Sequence, residues 1–191
     1  MIIESGELSL HTITSGDIEL LRQWRNEGGV NQYLLSRDPI SPEDQQRWFQ
    51  GLDPAVSIYF LIRVNKQAIG LVYAAGVDKT AGSFEGSIFI GDKAFLKAHY
   101  PVKAALMLSW FFFEHLNFQK AYSIVHKLNT SALDLDKRLG YHEFAKENDF
   151  IRTICSKLDY LKFTAPFRKM FFRDGLPTLI YQEGDGRFIF Q

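Results

Sequence analysis

Residues 97–142 read KAHYPVKAALMLSWFFFEHLNFQKAYSIVHKLNTSALDLDKRLGYH, and their punctuation decides the architecture. A loop carrying Lys97, His99 and Lys103 surrounds Pro101. Proline suits the first turn of a helix, where its missing N–H would have had no partner in any case. The apolar run that follows predicts a helix from Pro101 to about Leu116, closed by Asn117. Residues 121–125 then predict a strand. Asn129 predicts the cap of a second helix, because its side chain can accept from the free N–H groups of a first turn. Gly140 predicts that helix's end, where a left-handed residue is needed.

Upstream, the periodicity changes. SIYFLIRV at 57–64 predicts a strand, Asn65-Lys66 a tight turn, and residues 67–75 and 83–90 two further strands of a meander. Residues 6–14, with Leu8 and Leu10 alternating, predict a first strand. Two helices are predicted between. One starts at Ser15 with Asp17 and Glu19 in its first turn, carries Leu20, Leu21 and Trp24, and ends near Gly28-Gly29. The other starts at Ser41-Pro42-Glu43-Asp44 and carries Trp48 and Phe49.

Downstream, residues 151–173 mix aromatics with Arg152, Lys157, Lys162, Arg168, Lys169 and Arg173, and Pro166 is expected to interrupt any single helix there. PTLIYQ and GRFIF predict two short strands around the turn at 183–186. Antiparallel neighbours followed by strand–helix alternation predict a mixed α/β sheet, open where its parallel part meets the rest. With no repeat or linker, residues 1–191 read as one domain, with 151–191 an atypical C-terminal elaboration.

Composition narrows the function classes. Lysine plus arginine and aspartate plus glutamate are 22 each, which argues against a large uniform basic face for nucleic acid and leaves a local patch open. The 17 phenylalanines fit either a Phe-packed core or an aromatic pocket. Cys155 is the only cysteine, so no internal disulfide is available and a reducing, cytoplasmic setting is expected. The first residues, MIIESGEL, have no secretion-signal pattern. The longest apolar run, 104–113, falls short of the ~18 residues of a membrane span. The five histidines show no metal-ligand spacing, so no metal is expected.

The order and caps of 97–142 resemble the cofactor-binding half of the GNAT acyltransferases, which move an acetyl group from acetyl-CoA to an amine. Most of the chain to about His142 can be laid along that family's domain. The resemblance implies an α/β fold with a GNAT-like, mixed, mostly antiparallel, splayed central sheet flanked by helices. Residues 20–49, LLRQWRNEGGVNQYLLSRDPISPEDQQRWF, resemble the start of the acetyltransferases of nucleotide-linked amino sugars, of the pseudaminic acid type. Trp24, Arg25, Asn26, Ile40 and Ser41 match that pattern, and Trp24, Arg25 and Asn26 are the implied acceptor-binding residues. Each has a plainer alternative: Trp24 as core, Arg25 and Asn26 as helix-end capping.

The family's pyrophosphate loop carries glycines that let backbone N–H groups approach the phosphates at a helix N-terminus. Here Tyr100 and Val102 replace them, and Pro101 removes one donor. Lys97, His99 and Lys103 would partly compensate, or would simply be solvated. Ile88, Phe89 and Ile90 are implied to meet acetyl-CoA along the strand, and Asn129 to assist, unless it only caps its helix. The family's thiolate-protonating tyrosine falls on Asp136, which can serve as an acid only if burial raises its pKa. Glu85 is the candidate base for the amine. The implied partners are a small acceptor such as a sugar nucleotide, and a second copy through the C-terminal segment. The competing reading is a GNAT-like domain that has lost acetyl-CoA and serves as a binding module. A third is acetylation of a protein N-terminus.

Overall fold

The structure, a computed structural model, describes residues 1–181. Its scaffold is a nine-stranded sheet in the order β7-β8-β6-β5-β4-β3-β2-β1-β9. The strands are β1 Ile2–Ser5, β2 Leu8–Thr12, β3 Ile58–Val64, β4 Gln67–Asp78, β5 Ser83–Ile90, β6 Lys120–His126, β7 His142–Glu147, β8 Phe150–Ser156 and β9 Thr178–Ile180. Every neighbouring pair is antiparallel except β5 and β6. The Asn65-Lys66 turn forms with φ of 48° and 74°, the double positive φ that lets a two-residue turn follow strand twist.

The helices are α1 Ile18–Asn26, α2 Gly28–Asn31, α3 Pro42–Gln50, α4 Tyr100–Trp110, α5 Thr130–Leu139 and α6 Lys157–Phe171. Ser41 caps α3, its Oγ accepting from Asp44 N at 3.0 Å. Asn129 caps α5, its Oδ1 accepting from Ala132 N at 3.2 Å, and Gly140 ends it at φ 91°. Alternation along the strands divides the packing into two layers. Leu21 and Trp24 of α1 and Trp48 of α3 lie against Leu61, Leu71 and Phe89 on one face. On the other face, Phe60, Ile62, Val72 and Phe84 meet α4. There Phe84 stacks on Phe112 at 4.1 Å, and Tyr160 of α6 stacks on Phe113 at 5.0 Å. Tyr160 Oη and Arg168 Nη2 both donate to Glu114, which fastens α6 over the end of the central helix.

Several local expectations are refined. The strand expected within 6–14 forms as β2, but it is the second, because β1 precedes it and Gly6 at φ 59° turns the chain between them. The first helix ends at Asn26, near the Gly28-Gly29 pair as expected, and that pair opens the short α2. The central helix passes into a π-turn over Phe111–His115, which lets three consecutive phenylalanines enter the core. α6 continues through Pro166, whose exposed side of the helix leaves the Lys162 carbonyl to solvent while Tyr160 and Thr164 hold the buried side. Of the two C-terminal strands, β9 forms against β1; GRFIF lies outside the described residues.

Gly91 shows how tightly α1 is seated. A Cβ there would fall 2.0 Å from Trp24 Cδ2, so the ring sits flush on the backbone after β5. Gly91→Ala is expected to cost about 1–3 kcal/mol through overpacking, read as a lower urea midpoint at unchanged slope.

Candidate functional site

β5 and β6 pair over only three residue pairs, Ser83↔Lys120, Phe84↔Ala121 and Glu85↔Tyr122. Beyond that point the strands part. Residues 86–90 keep β4 on one side and present their other backbone edge to a cleft of about 490 Å³. That volume is in the range of small-molecule sites. One wall is Ile88 to Ile90 with Ala105 and Leu108 of α4; the other is Ser123 to His126 with Ala132, Leu135 and Asp136 of α5. Gly29, Val30 and Gln32 to Leu34, which follow α1, also line the cleft, so it borders both layers at the gap.

Asp136 is 9 % exposed and lines the cleft. Its Oδ2 accepts from Thr153 Oγ1 at 2.8 Å. Burial raises its pKa to about 6, against the opposing hydrogen bonds from Thr153 and Ser123. An aspartate here therefore carries its proton through the mildly acidic range.

Glu85 sits at the vertex of the gap, beside Gly86. Phe84 points into the α4 layer, so Glu85 points to the other face, which carries the Tyr59–Tyr73 stack at 4.8 Å and Trp48 edge-on to Tyr59 at 5.1 Å. Burial raises the Glu85 pKa, while Arg152 on β8 opposes the rise. Arg25 is charge-coupled to Tyr59 on this face, and its buried Nε has no partner among the described residues. The face thus combines the Glu85 carboxyl, the Arg25 guanidinium and an aromatic platform, while Arg152 is held by Glu147 at 2.8 Å.

The structure brings Ile88, Phe89, Ile90, Asn129 and Asp136 to the cleft and places Glu85 at its vertex. The loop cations are elsewhere. Lys103 Nζ donates to Ser5 O at 2.7 Å, drawn to the β1–β2 turn by the helical phase of α4. His99 stacks on Phe171 at 5.6 Å and its Nε2 is 3.9 Å from Glu7. Lys97 is exposed and does not line the cleft. Tyr100 Oη donates to Glu7. Trp24 is core. Asn26 uses both ends of its amide on Ile40, donating to its O and accepting from its N at 2.9 Å each, and so pins the loop between α1 and α3.

Sequence reasoning missed Ser123, Thr153, His126 and Tyr141. Ser123 and Thr153 are polar residues at inward positions of β6 and β8, a period-2 signal that was present in the sequence. His126 is buried between Tyr33 and Phe150, and its Nδ1 accepts from Leu128 N, which leaves the proton on Nε2. Tyr141 gave no signal beyond following a helix-ending glycine.

The site is thus a single sheet, packed on both faces, that parts between its two parallel strands, with a helix starting on each side of the gap. Residues 7–142 match the family described as acetyltransferase (GNAT) domain, and the chain belongs to it. Among solved structures, FdhC without ligand, described as a nucleotide-linked sugar GNAT, superposes with TM-score 0.76 at 19 % identity, over 90 % of this chain and 98 % of that one. Spermidine N-acetyltransferase from Vibrio cholerae, solved with CoA and spermine, gives 0.72 at 20 % identity, over 81 % and 98 %. At these identities the likeness shows the fold. An uncharacterised protein of Methanocaldococcus jannaschii is 23 % identical over 154 residues, 78 % of this chain and 31 % of that protein's length. The chain thus spans about a third of this curated relative.

Proposed function

We propose that the protein is an N-acyltransferase that uses acetyl-CoA and acts on the amine of a small acceptor, a nucleotide-linked amino sugar. The observation that carries this reading is the pairing of two carboxyls across the gap: Asp136 on the cleft side and Glu85 at the vertex, facing the other layer. The residues suit the donor in part. The free strand edge at 86–90 suits an amide-bearing arm, and the apolar walls of α4 and α5 suit its alkyl portions. The first turn of α4 offers N–H groups to a phosphate at Tyr100 and Val102, and none at Pro101.

When bound, acetyl-CoA supplies an acyl carbon activated by its thioester. Glu85 would accept the proton of the amine, and Asp136 would hold a proton for the sulfur of the bound donor. Along Ile88 to Ile90 the backbone N–H groups not taken by β4 would face the acyl oxygen. Trp24 holds α1 in place, so that Arg25 stands beside the acceptor. Arg152 is held by Glu147, so Arg25 is the guanidinium that favours an acceptor with negative charge over a polycation, and a nucleotide-linked sugar, the class by which FdhC is described, carries that charge on its phosphates. Exposed Leu158, Phe163 and Met170 on α6 support a homodimer through the C-terminal segment. One domain in a cytoplasmic setting is consistent with the single buried Cys155, and no described helix is long and apolar enough to cross a membrane.

A second reading, a binding module without acetyl transfer, is favoured by one observation: Lys97, His99 and Lys103 all stand outside the cleft. Calorimetric titration with acetyl-CoA, with free CoA as control, separates the two. Micromolar binding is expected, followed by turnover of UDP- or dTDP-amino sugars. No heat up to millimolar acetyl-CoA would leave the binding-module reading.

A further inference from the structure

Tyr141 lies between Gly140 and β7 and is 8 % exposed, its ring packed in the main core. Its hydroxyl reaches the floor of the cleft. A Cβ on Gly86 would lie 3.6 Å from Tyr141 Oη, and both residues line the space. A buried tyrosine normally pairs its hydroxyl. Tyr160 Oη donates to Glu114 and Tyr100 Oη to Glu7, whereas Tyr141 Oη has no hydrogen-bond partner among the described residues. The group is thus fixed by its ring, held at the point where β5 and β6 part, and left with a free donor.

We infer that the Tyr141 hydroxyl is a catalytic hydrogen-bond donor to the carbonyl oxygen of the acyl group being transferred, an assignment that rests on the acyltransferase reading. As the acceptor nitrogen bonds to the carbonyl carbon, an electron pair moves onto that oxygen, and a preorganised donor in a dry site stabilises the charge. The pair then returns, the carbon–sulfur bond breaks, and the sulfur leaves with its electrons and takes the Asp136 proton. The nitrogen's proton passes to Glu85. Tyr141 keeps its own proton throughout. Burial and the nearby Asp136 raise its pKa well above the ordinary tyrosine value, so the phenol remains a donor across the working range. Gly86 has the complementary part: without a side chain, it leaves open the space between the hydroxyl and the strand edge.

The test is Tyr141→Phe, which keeps the ring and removes the oxygen. The probes are acetyl-CoA labelled with carbon-13 at the carbonyl, and hydroxylamine as a small nucleophile. A fall in kcat of roughly 10–1000-fold is expected, with KM for acetyl-CoA within about threefold and an unchanged pH profile. In infrared difference spectra of bound acetyl-CoA, the carbonyl band should shift to higher wavenumber in the variant, because a hydrogen bond to the oxygen is lost. Gly86→Ala, which narrows the approach to the hydroxyl, should lower kcat in the same sense. If Tyr141→Phe left both kcat and the band unchanged, the inference would be overturned while the acyltransferase reading stood. Disappearance of an alkaline limb in the variant would also overturn it, since Tyr141 would then be titrating. A parent protein that neither binds acetyl-CoA nor forms acetohydroxamate would overturn both.

Discussion

Asp136→Asn should make the protein more stable and nearly inactive. The sign follows from burial. The folded-state pKa of about 6 lies above the ordinary carboxylate value, so the folded state binds the proton more tightly than the unfolded one. Stability is then greatest below the unfolded pKa and is lost as pH rises from about 4 through about 6. A shift of this size corresponds to roughly 3 kcal/mol, nearly all of it felt by pH 8. Asparagine removes the cost of the buried charge and can still accept from Thr153 Oγ1. The thermal midpoint of Asp136→Asn should therefore exceed that of the parent at pH 8 and approach it at pH 4. Turnover should fall about 100-fold or more, because an amide cannot give up a proton to sulfur. If Asp136 is the proton source, parent activity should also decline above pH about 6, and that alkaline limb should vanish in the variant. A variant whose advantage over the parent is no larger at pH 8 than at pH 4 would mean that the carboxyl is solvated.

Glu85→Gln should lower turnover by roughly 100–10,000-fold while leaving acetyl-CoA affinity within about twofold. Glu85 is the last residue of β5 paired with β6 and faces the layer opposite the α4 wall, so it can meet an amine without touching the donor's arm. Burial raises its pKa, and the acid limb of kcat/KM should lie above the ordinary glutamate value and disappear in the variant. With Glu85 needed ionised and Asp136 protonated, the two limbs enclose a narrow optimum in mildly acidic solution. Retained turnover with the limb intact would remove Glu85 from the mechanism.

Much of this was legible in the chain because backbone termini announce themselves. Ser41, Asn129 and Gly140 fix helix ends through local hydrogen bonds and φ alone, and the structure keeps all three. Asn65-Lys66 fixes a turn for the same reason. What sequence could not give was direction around an axis. Lys103 reads as a phosphate ligand by its position near a helix start, yet helical phase turns it to Ser5. Asn26 reads as a ligand group, yet a loop fourteen residues on occupies its whole amide. Asp136 reads as an acid that could serve only if buried, and its packing against β8 is what supplies the burial. Pro166 reads as a helix break, and tertiary burial of Tyr160 and Thr164 overrides it.

The clasp of β9 on β1, together with the seat of α6 over the end of α4, has a consequence for how the protein is made. The central helix is buried along residues 103–110, and its cover arrives with residues 157–171. At ~5–20 residues per second of synthesis, roughly 3–12 s separate the end of α4 from the end of α6 on the ribosome. During that interval the most apolar segment of the chain has only half its shelter. The nascent chain is thus a candidate client for holding chaperones until its last sheet strand has emerged.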